Sequence, residues 1–227
     1  LRLIKSLINN TNIKRINNLI LEKINFTNID EYNEFNKIKD SKIDYVYTNS
    51  FWNYYMDNKY LKLFKKPKIT IISNNKFGIC CNLIHIFIFL NKLIHIKNTN
   101  LCHYNIIDAK RKNFNELIFK LESDYLNIEQ YQDNLTRKLK INIIEHDIKL
   151  EIELIENNYL FKFYRNNILL DSFQKKIGNV STHLVYDYNN MIIENNQDVK
   201  LCSNDISYLC HKKLFSVFKD IKNLKIT

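Results

Sequence analysis

Leu139-Lys140-Ile141-Asn142-Ile143-Ile144-Glu145-His146-Asp147-Ile148-Lys149-Leu150-Glu151-Ile152-Glu153-Leu154 is the stretch on which the fold turns. Leu139, Ile141 and Ile143 alternate with polar neighbours, and Ile148, Leu150, Ile152 and Leu154 do so again. A period of two puts each set on one face of a strand. His146-Asp147 is left as a tight turn, and two strands joined so closely must run antiparallel. Glu151 and Glu153 then point off the core face.

Working outward, Ile69 to Ser73 reads as a buried strand that begins just after the only proline, Pro67. Ser50 to Phe64 reads as a helix that Pro67 ends. Gly78 to Leu90 is an apolar helix, and Leu93 to Lys97 a short strand. Phe114 to Leu126 reads as a helix within a charged insertion at about 100–138, expected outside the sheet. Glu156 to Asn167 reads as a helix, Val180 to Tyr186 and Val199 to Cys202 as strands, and Asp205 to Ile221 as a closing amphipathic helix. Leu1 to Ile24 carries apolar residues at helical spacing, and 25–44 reads as a linker. The expectation is an α+β fold: an antiparallel sheet with helices packed on one face, plus an N-terminal helical extension. Its divisions are an extension over 1–48 and an RNA-binding α+β domain over 49–227.

Thirty-four Lys and Arg against 24 acidic residues give a net charge of +10, which favours a polyanionic partner. Gly, Pro and Ala are scarce while Asn and Ile abound, a pattern of AT-rich codons that reads as an organellar genome, with an AT-rich parasite or endosymbiont as the competing origin. The run 79–96 is broken by Asn82, His85, Asn91 and Lys92 and is too short and polar for a membrane span. Five cysteines (Cys80, Cys81, Cys102, Cys202, Cys210) show no CxxC spacing, so neither a disulfide framework nor a zinc ribbon is expected. With Gly78 and Gly178 as the two glycines, no phosphate-cradling glycine-rich loop is available. His85 and His95 lie in apolar runs and read as core or sheet-face residues, so no enzyme, metal, cofactor or small-molecule substrate is expected.

Basic clusters sit at element ends: Lys65, Lys66 and Lys68 around Pro67, Lys110-Arg111-Lys112, Arg137-Lys138, and Lys175-Lys176. There the side chains can reach phosphates without disturbing a core. Pro67-Lys68-Ile69 with Asn75, the stretch from Asn91 to Asn98, and Tyr159-Leu160-Phe161-Lys162-Phe163 form an ordered series. Gly178-Asn179-Val180, Met191-Ile192-Ile193-Glu194 and Asp198-Val199-Lys200-Leu201 continue it. In that order they resemble the family of the fifth protein of the large ribosomal subunit. The resemblance implies a non-catalytic ribosomal constituent of the central protuberance, in a mitochondrial ribosome. Its partners would be large-subunit rRNA, 5S rRNA, neighbouring ribosomal proteins and the P-site tRNA. The RNA-binding residues it implies are Lys65, Lys66, Lys68, Asn75, Asn91, Lys92 and Lys97, and the basic cluster in the insertion adds Lys110, Arg111 and Lys112 as candidates. A scaffold subunit of an organellar respiratory complex is the alternative.

Overall fold

A computed structural model of the chain describes residues 1–21, 26, 28–39, 41–50, 58–74, 79–94, 100–108, 115–131, 138–176, 180–194 and 201–221. Within these, the side chains of 79–82, 100–101, 106–108, 115–117, 180–184 and 192–193 are left undescribed. The order begins α1 (Arg2–Asn9), β1 (Ile16–Leu21), α2 (Ile29–Lys39), β2 (Ile43–Thr48), α3 (Asn58–Leu61), β3 (Lys68–Ser73) and α4 (Ile79–Leu90). It continues with β4 (Asn100–Asp108), β5 (Asn115–Glu122), β6 (Leu126–Gln130), β7 (Leu139–Glu145), β8 (Ile148–Ile155), β9 (Asn158–Arg165) and β10 (Ile168–Lys176). Last come α5 (Val180–Ile193), β11 (Cys202–Ser203) and α6 (Asn204–Phe218).

Eight strands form the larger sheet in the order β10-β9-β8-β7-β3-β6-β5-β4, antiparallel except for the parallel β3–β6 pair. The expected β7–β8 hairpin is present, with Ile143 opposite Leu150 and Ile141 opposite Ile152. Register carries that alternation across the sheet. Phe161, Ile152, Ile141, Ile71, Ile128 and Leu121 form one continuous row of buried side chains. α4 and α6 cover this row through Leu83, Phe87, Leu214 and Phe218, and Phe218 meets Phe119 edge-on at 5.4 Å. Burying such rows is the main favourable term in the fold. The α+β class, with a mostly antiparallel sheet and helices on it, is as expected.

β1 and β2 pair in parallel, and β11 adds antiparallel to β2. Tyr32, Phe35, Phe26 and Ile8 fill one side of this smaller sheet, while Tyr47, Met191 and Leu201 pack with Ile20 in a separate cluster. The N-terminal helices are short and alternate with strands, so residues expected in one long helix and a linker form α1, β1, α2 and the start of β2.

Other elements differ from their sequence patterns. The expected helix over 114–126 is β5 and the start of β6, so the supposed insertion builds three strands at one side of the sheet. The expected helix over 156–167 is β9 between two-residue turns. Positive φ at Glu156 (53°), Asn166 (49°) and Asn167 (64°) lets those turns close without glycine. Residues 180–193, expected to begin as a strand, are helical. The expected strand at 93–97 is not formed at Leu93 and Ile94, and 95–97 lie outside the described residues. Among the described residues no helix is long and apolar enough to cross a membrane.

Candidate functional site at the joint of the two sheets

In parallel α/β units, ligands bind outside the carboxyl ends of the strands. For β1 and β2 that edge is Leu21 and Thr48, extended one residue by the Asn49 N–H donating to the Leu21 carbonyl at 2.8 Å. The opposite edge is fastened by Arg15, whose guanidinium forks onto Asp44, with Nε 2.7 and 2.8 Å from the two carboxylate oxygens. That partner holds the Asp44 carboxyl below its usual range.

Buried polar side chains collect at the carboxyl edge. Thr48 and Ser50 are fully buried, as are Ser207 and His211 of α6, and His85 of α4 is 3% exposed. Burial without hydrogen bonds would be costly for each of them. Thr48 Oγ1 donates to Ser207 Oγ at 2.7 Å. His211 Nδ1–H donates to the Ser207 carbonyl at 2.8 Å, which fixes the tautomer, because a carbonyl only accepts. Burial lowers the His211 pKa to about 4, so this ring is neutral near pH 7 and sits edge-on to Tyr32 at 5.1 Å. The Tyr32 hydroxyl donates to Asn204 Oδ1 at 3.2 Å, Asn204 Nδ2 to Asn36 at 3.0 Å, and the Tyr208 hydroxyl to Asn33 at 2.8 Å. These bonds tie α2 and β2 to α6.

His85 stands apart from that set. Its Nδ1 shares a 3.2 Å hydrogen bond with Ser50 Oγ, two residues past the end of β2. An imidazole held by a hydroxyl at a strand's carboxyl edge can accept or return a proton at a neighbouring hydroxyl group. His211 is a poor base near neutral pH, because burial holds its pKa at about 4. Nearby, burial raises the Cys202 thiol far above its ordinary range and pushes Cys210 up to about 12, so neither is a thiolate nucleophile. No group of three or more metal-ligating side chains occurs among the described residues.

Of the basic residues singled out in the sequence, Lys65, Lys66, Lys68 and Lys92 take no part in this hydrogen-bonded set. Lys65 and Lys66 are exposed, and their backbone N–H groups both donate to Glu145 Oε2, at 2.6 and 3.0 Å. Lys68 is exposed at the start of β3, opposite Ile144 of β7. Asn91 is half-buried and Lys92 exposed in the turn after α4, with the Lys92 charge felt at Cys202. Asn75, Lys97, Lys110, Arg111 and Lys112 lie outside the described residues. Sequence reasoning read Ser50 as the start of a helix and His85 as a core or sheet-face residue, and His85 is indeed buried. The available signal was Thr48-Asn49-Ser50, three hydrogen-bonding residues closing an apolar strand.

The fold is an α+β arrangement of a smaller, partly parallel sheet and a larger, mostly antiparallel one. No protein-family model and no curated protein matches the sequence. Among solved structures, a super-repressor mutant of Gal80p from Saccharomyces cerevisiae is similar, with TM-score 0.63 and 13% identity over 96% of this chain and 73% of that one. UDP-N-acetylglucosamine 3-dehydrogenase GnnA from Acidithiobacillus ferrooxidans matches at 0.60 and 12% over 89% and 70%. A Gfo/Idh/MocA family oxidoreductase from Vibrio cholerae matches at 0.57 and 7%, over 89% and 70%.

These similarities overturn the ribosomal reading and its alternative. The neighbours are oxidoreductases and Gal80p, so an rRNA-binding constituent with 5S rRNA, tRNA and ribosomal-protein partners is corrected, as is the expectation of a non-enzyme. The physical grounds agree. The run Tyr159–Phe163, matched to a ribosomal helix, is a central part of β9, and the supposed insertion is integral sheet.

Dehydrogenases of this type hold a dinucleotide pyrophosphate on a glycine-rich turn at a helix N-terminus. The two glycines here follow neither β1 nor β2. α2, the helix after β1, is capped by Asn28 Oδ1 accepting from the Glu31 N–H at 2.9 Å, and carries Asp30 and Glu31 in its first turn. Two carboxylates there repel a pyrophosphate. The first turn of α2 does not fit a pyrophosphate held in that way.

Proposed function

We propose that this protein is an oxidoreductase acting on a hydroxyl-bearing, sugar-like substrate outside the carboxyl ends of β1 and β2, with His85 handling the hydroxyl proton. The observation that carries the reading is the His85 Nδ1–Ser50 Oγ hydrogen bond at that edge. Support for the reaction class comes from the dehydrogenase fold, and for the substrate class from the name of one neighbour, a UDP-N-acetylglucosamine 3-dehydrogenase. Ser50 orients the ring through Nδ1. His211, neutral and hydrogen-bonded within α6, belongs to the support of the joint.

The test is oxidation of UDP-N-acetylglucosamine, free hexoses and polyols, with nicotinamide dinucleotides or an electron-accepting dye as oxidant. Removing a general acid–base group costs roughly 100- to 10,000-fold in rate. His85→Gln is expected to lose at least the lower of these factors while keeping its cooperative melt, and His211→Gln to keep turnover. Turnover that survives His85→Gln undiminished, or its absence with every substrate and oxidant, overturns the proposal.

A further inference from the structure

The outermost strand β10 is hydrogen-bonded on one side to β9 and is the edge of the larger sheet. Exposed edge strands are templates for further pairing. This one opens with three consecutive exposed apolar residues, Ile168 (65%), Leu169 (50%) and Leu170 (57%). Its backbone phase follows from the hairpin. The two-residue turn Asn166-Asn167 makes Arg165 and Ile168 the closing hydrogen-bonded pair, and hydrogen-bonded pairs alternate from there. Carried past the irregularity between Leu169 and Asp171, the alternation leaves the N–H and C=O of Ser172 and Gln174 pointing away from β9. In keeping with this, the Ser172 N–H meets the Asp171 carboxylate rather than β9.

Read against itself in reverse, Asp171-Ser172-Phe173-Gln174-Lys175 is complementary: Asp meets Lys, Ser meets Gln, and Phe meets Phe. We propose that β10 pairs antiparallel with β10 of a second copy of this chain, about a twofold axis at Phe173, joining two eight-stranded sheets edge to edge. The axis places Asp171 opposite the second copy's Lys175 twice. Ser172 and Gln174 exchange ladder hydrogen bonds in the phase that their outward groups already have. Such an interface is isologous and closes at two copies, and opposite charges directly across strands favour this register over its neighbours.

Forming the ladder asks the Ser172 N–H to leave the Asp171 carboxylate, which then meets Lys175 of the second copy. Asp171 is 43% exposed while accepting from the Tyr60 hydroxyl and lying 3.6 Å from Lys59 Nζ. Phe173 stacks on Phe161 at 4.8 Å, and Lys175 Nζ lies 5.8 Å from the Phe173 ring centroid, which holds the strand in a fixed conformation. An unrelated partner strand would need no self-complementarity in β10. A second copy does, and this strand has it.

Sedimentation velocity of the full chain tests the pairing, with a dimer of twice 27.4 kDa expected at about 50 μM, a concentration chosen for proteins of moderate self-affinity. Gln174→Pro removes an outward N–H that an edge strand tolerates losing, and Lys175→Asp sets carboxylates opposite one another. Each should weaken the dimer at least about 10-fold with the melting transition retained, and Lys175→Ala should fall between Lys175→Asp and the wild type. The exchange Asp171→Lys with Lys175→Asp should restore dimer. If that double variant loses its melt, the graded lysine series decides instead. A monomeric wild type, or a dimer indifferent to Gln174→Pro and Lys175→Asp, overturns the proposal.

Discussion

His211 should make this protein sensitive to acid. Its ring is fully buried against Tyr32 and Phe215, and burial holds its pKa at about 4 against an ordinary 6.5. The folded-state value is depressed, so between those two pH values the unfolded chain binds a proton that the native ring refuses. Stability from this residue is therefore complete above about pH 6.5 and is lost as pH falls through that value toward about 4. The shift from 6.5 to about 4, at about 1.4 kcal/mol per pH unit, amounts to about 3 kcal/mol. Urea unfolding at about pH 7, 5.5 and 4 should show a decline of that order in the wild type. His211→Gln, neutral at every pH, should start lower because the Tyr32 packing changes, and should fall less steeply by about the same 3 kcal/mol. Parallel curves for the two proteins across that interval would refute the assignment of a buried, neutral His211.

Two further outcomes follow from the same joint. Thr48→Val leaves Ser207 with its 3.3 Å contact to His211 but without its donor, and should cost about 1 kcal/mol in urea unfolding. In a cycle with Ser207→Ala, the coupling should be of similar size, and additive losses would show that the hydroxyls do not interact. Cys102, exposed on β4, should label with a thiol reagent in the native state, while Cys202 and Cys210 label only on unfolding. Peptide mapping reads this directly, and native labelling of Cys210 would contradict the burial.

The β7–β8 hairpin was legible because its alternation is clean and its turn leaves no other reading. The hairpins on either side of β9 were not. Their turns, Glu156-Asn157 and Asn166-Asn167, carry no glycine, and only the observed positive φ values show that Glu and Asn fill the left-handed positions. β5 and β6 were hidden by charge. Lys120, Glu122 and Glu129 are the polar half of an alternation whose apolar half is Phe119, Leu121 and Ile128. At 180–186 an alternating pattern pointed to a strand, yet 180–193 is a helix whose Met191 packs with Tyr47 and Leu201, a case of tertiary context overriding propensity. The joint was legible least of all. Ser50 and His85 are 35 residues apart, and Thr48 and Ser207 are 159 apart, so their hydrogen bonds have no trace in local pattern. The basic clusters, by contrast, were conspicuous in sequence, and the backbone N–H groups of Lys65 and Lys66 bind Glu145 while their side chains stay exposed.

The proposed site is tested most directly by the imidazole NMR signals of the full chain titrated with UDP-N-acetylglucosamine, with His85 and His211 assigned from their Gln variants. The account predicts that the His85 ring signals move in a saturable way while those of His211, sealed inside the joint, stay in place. Saturable binding that leaves the His85 signals unmoved would put the ligand elsewhere and contradict the account.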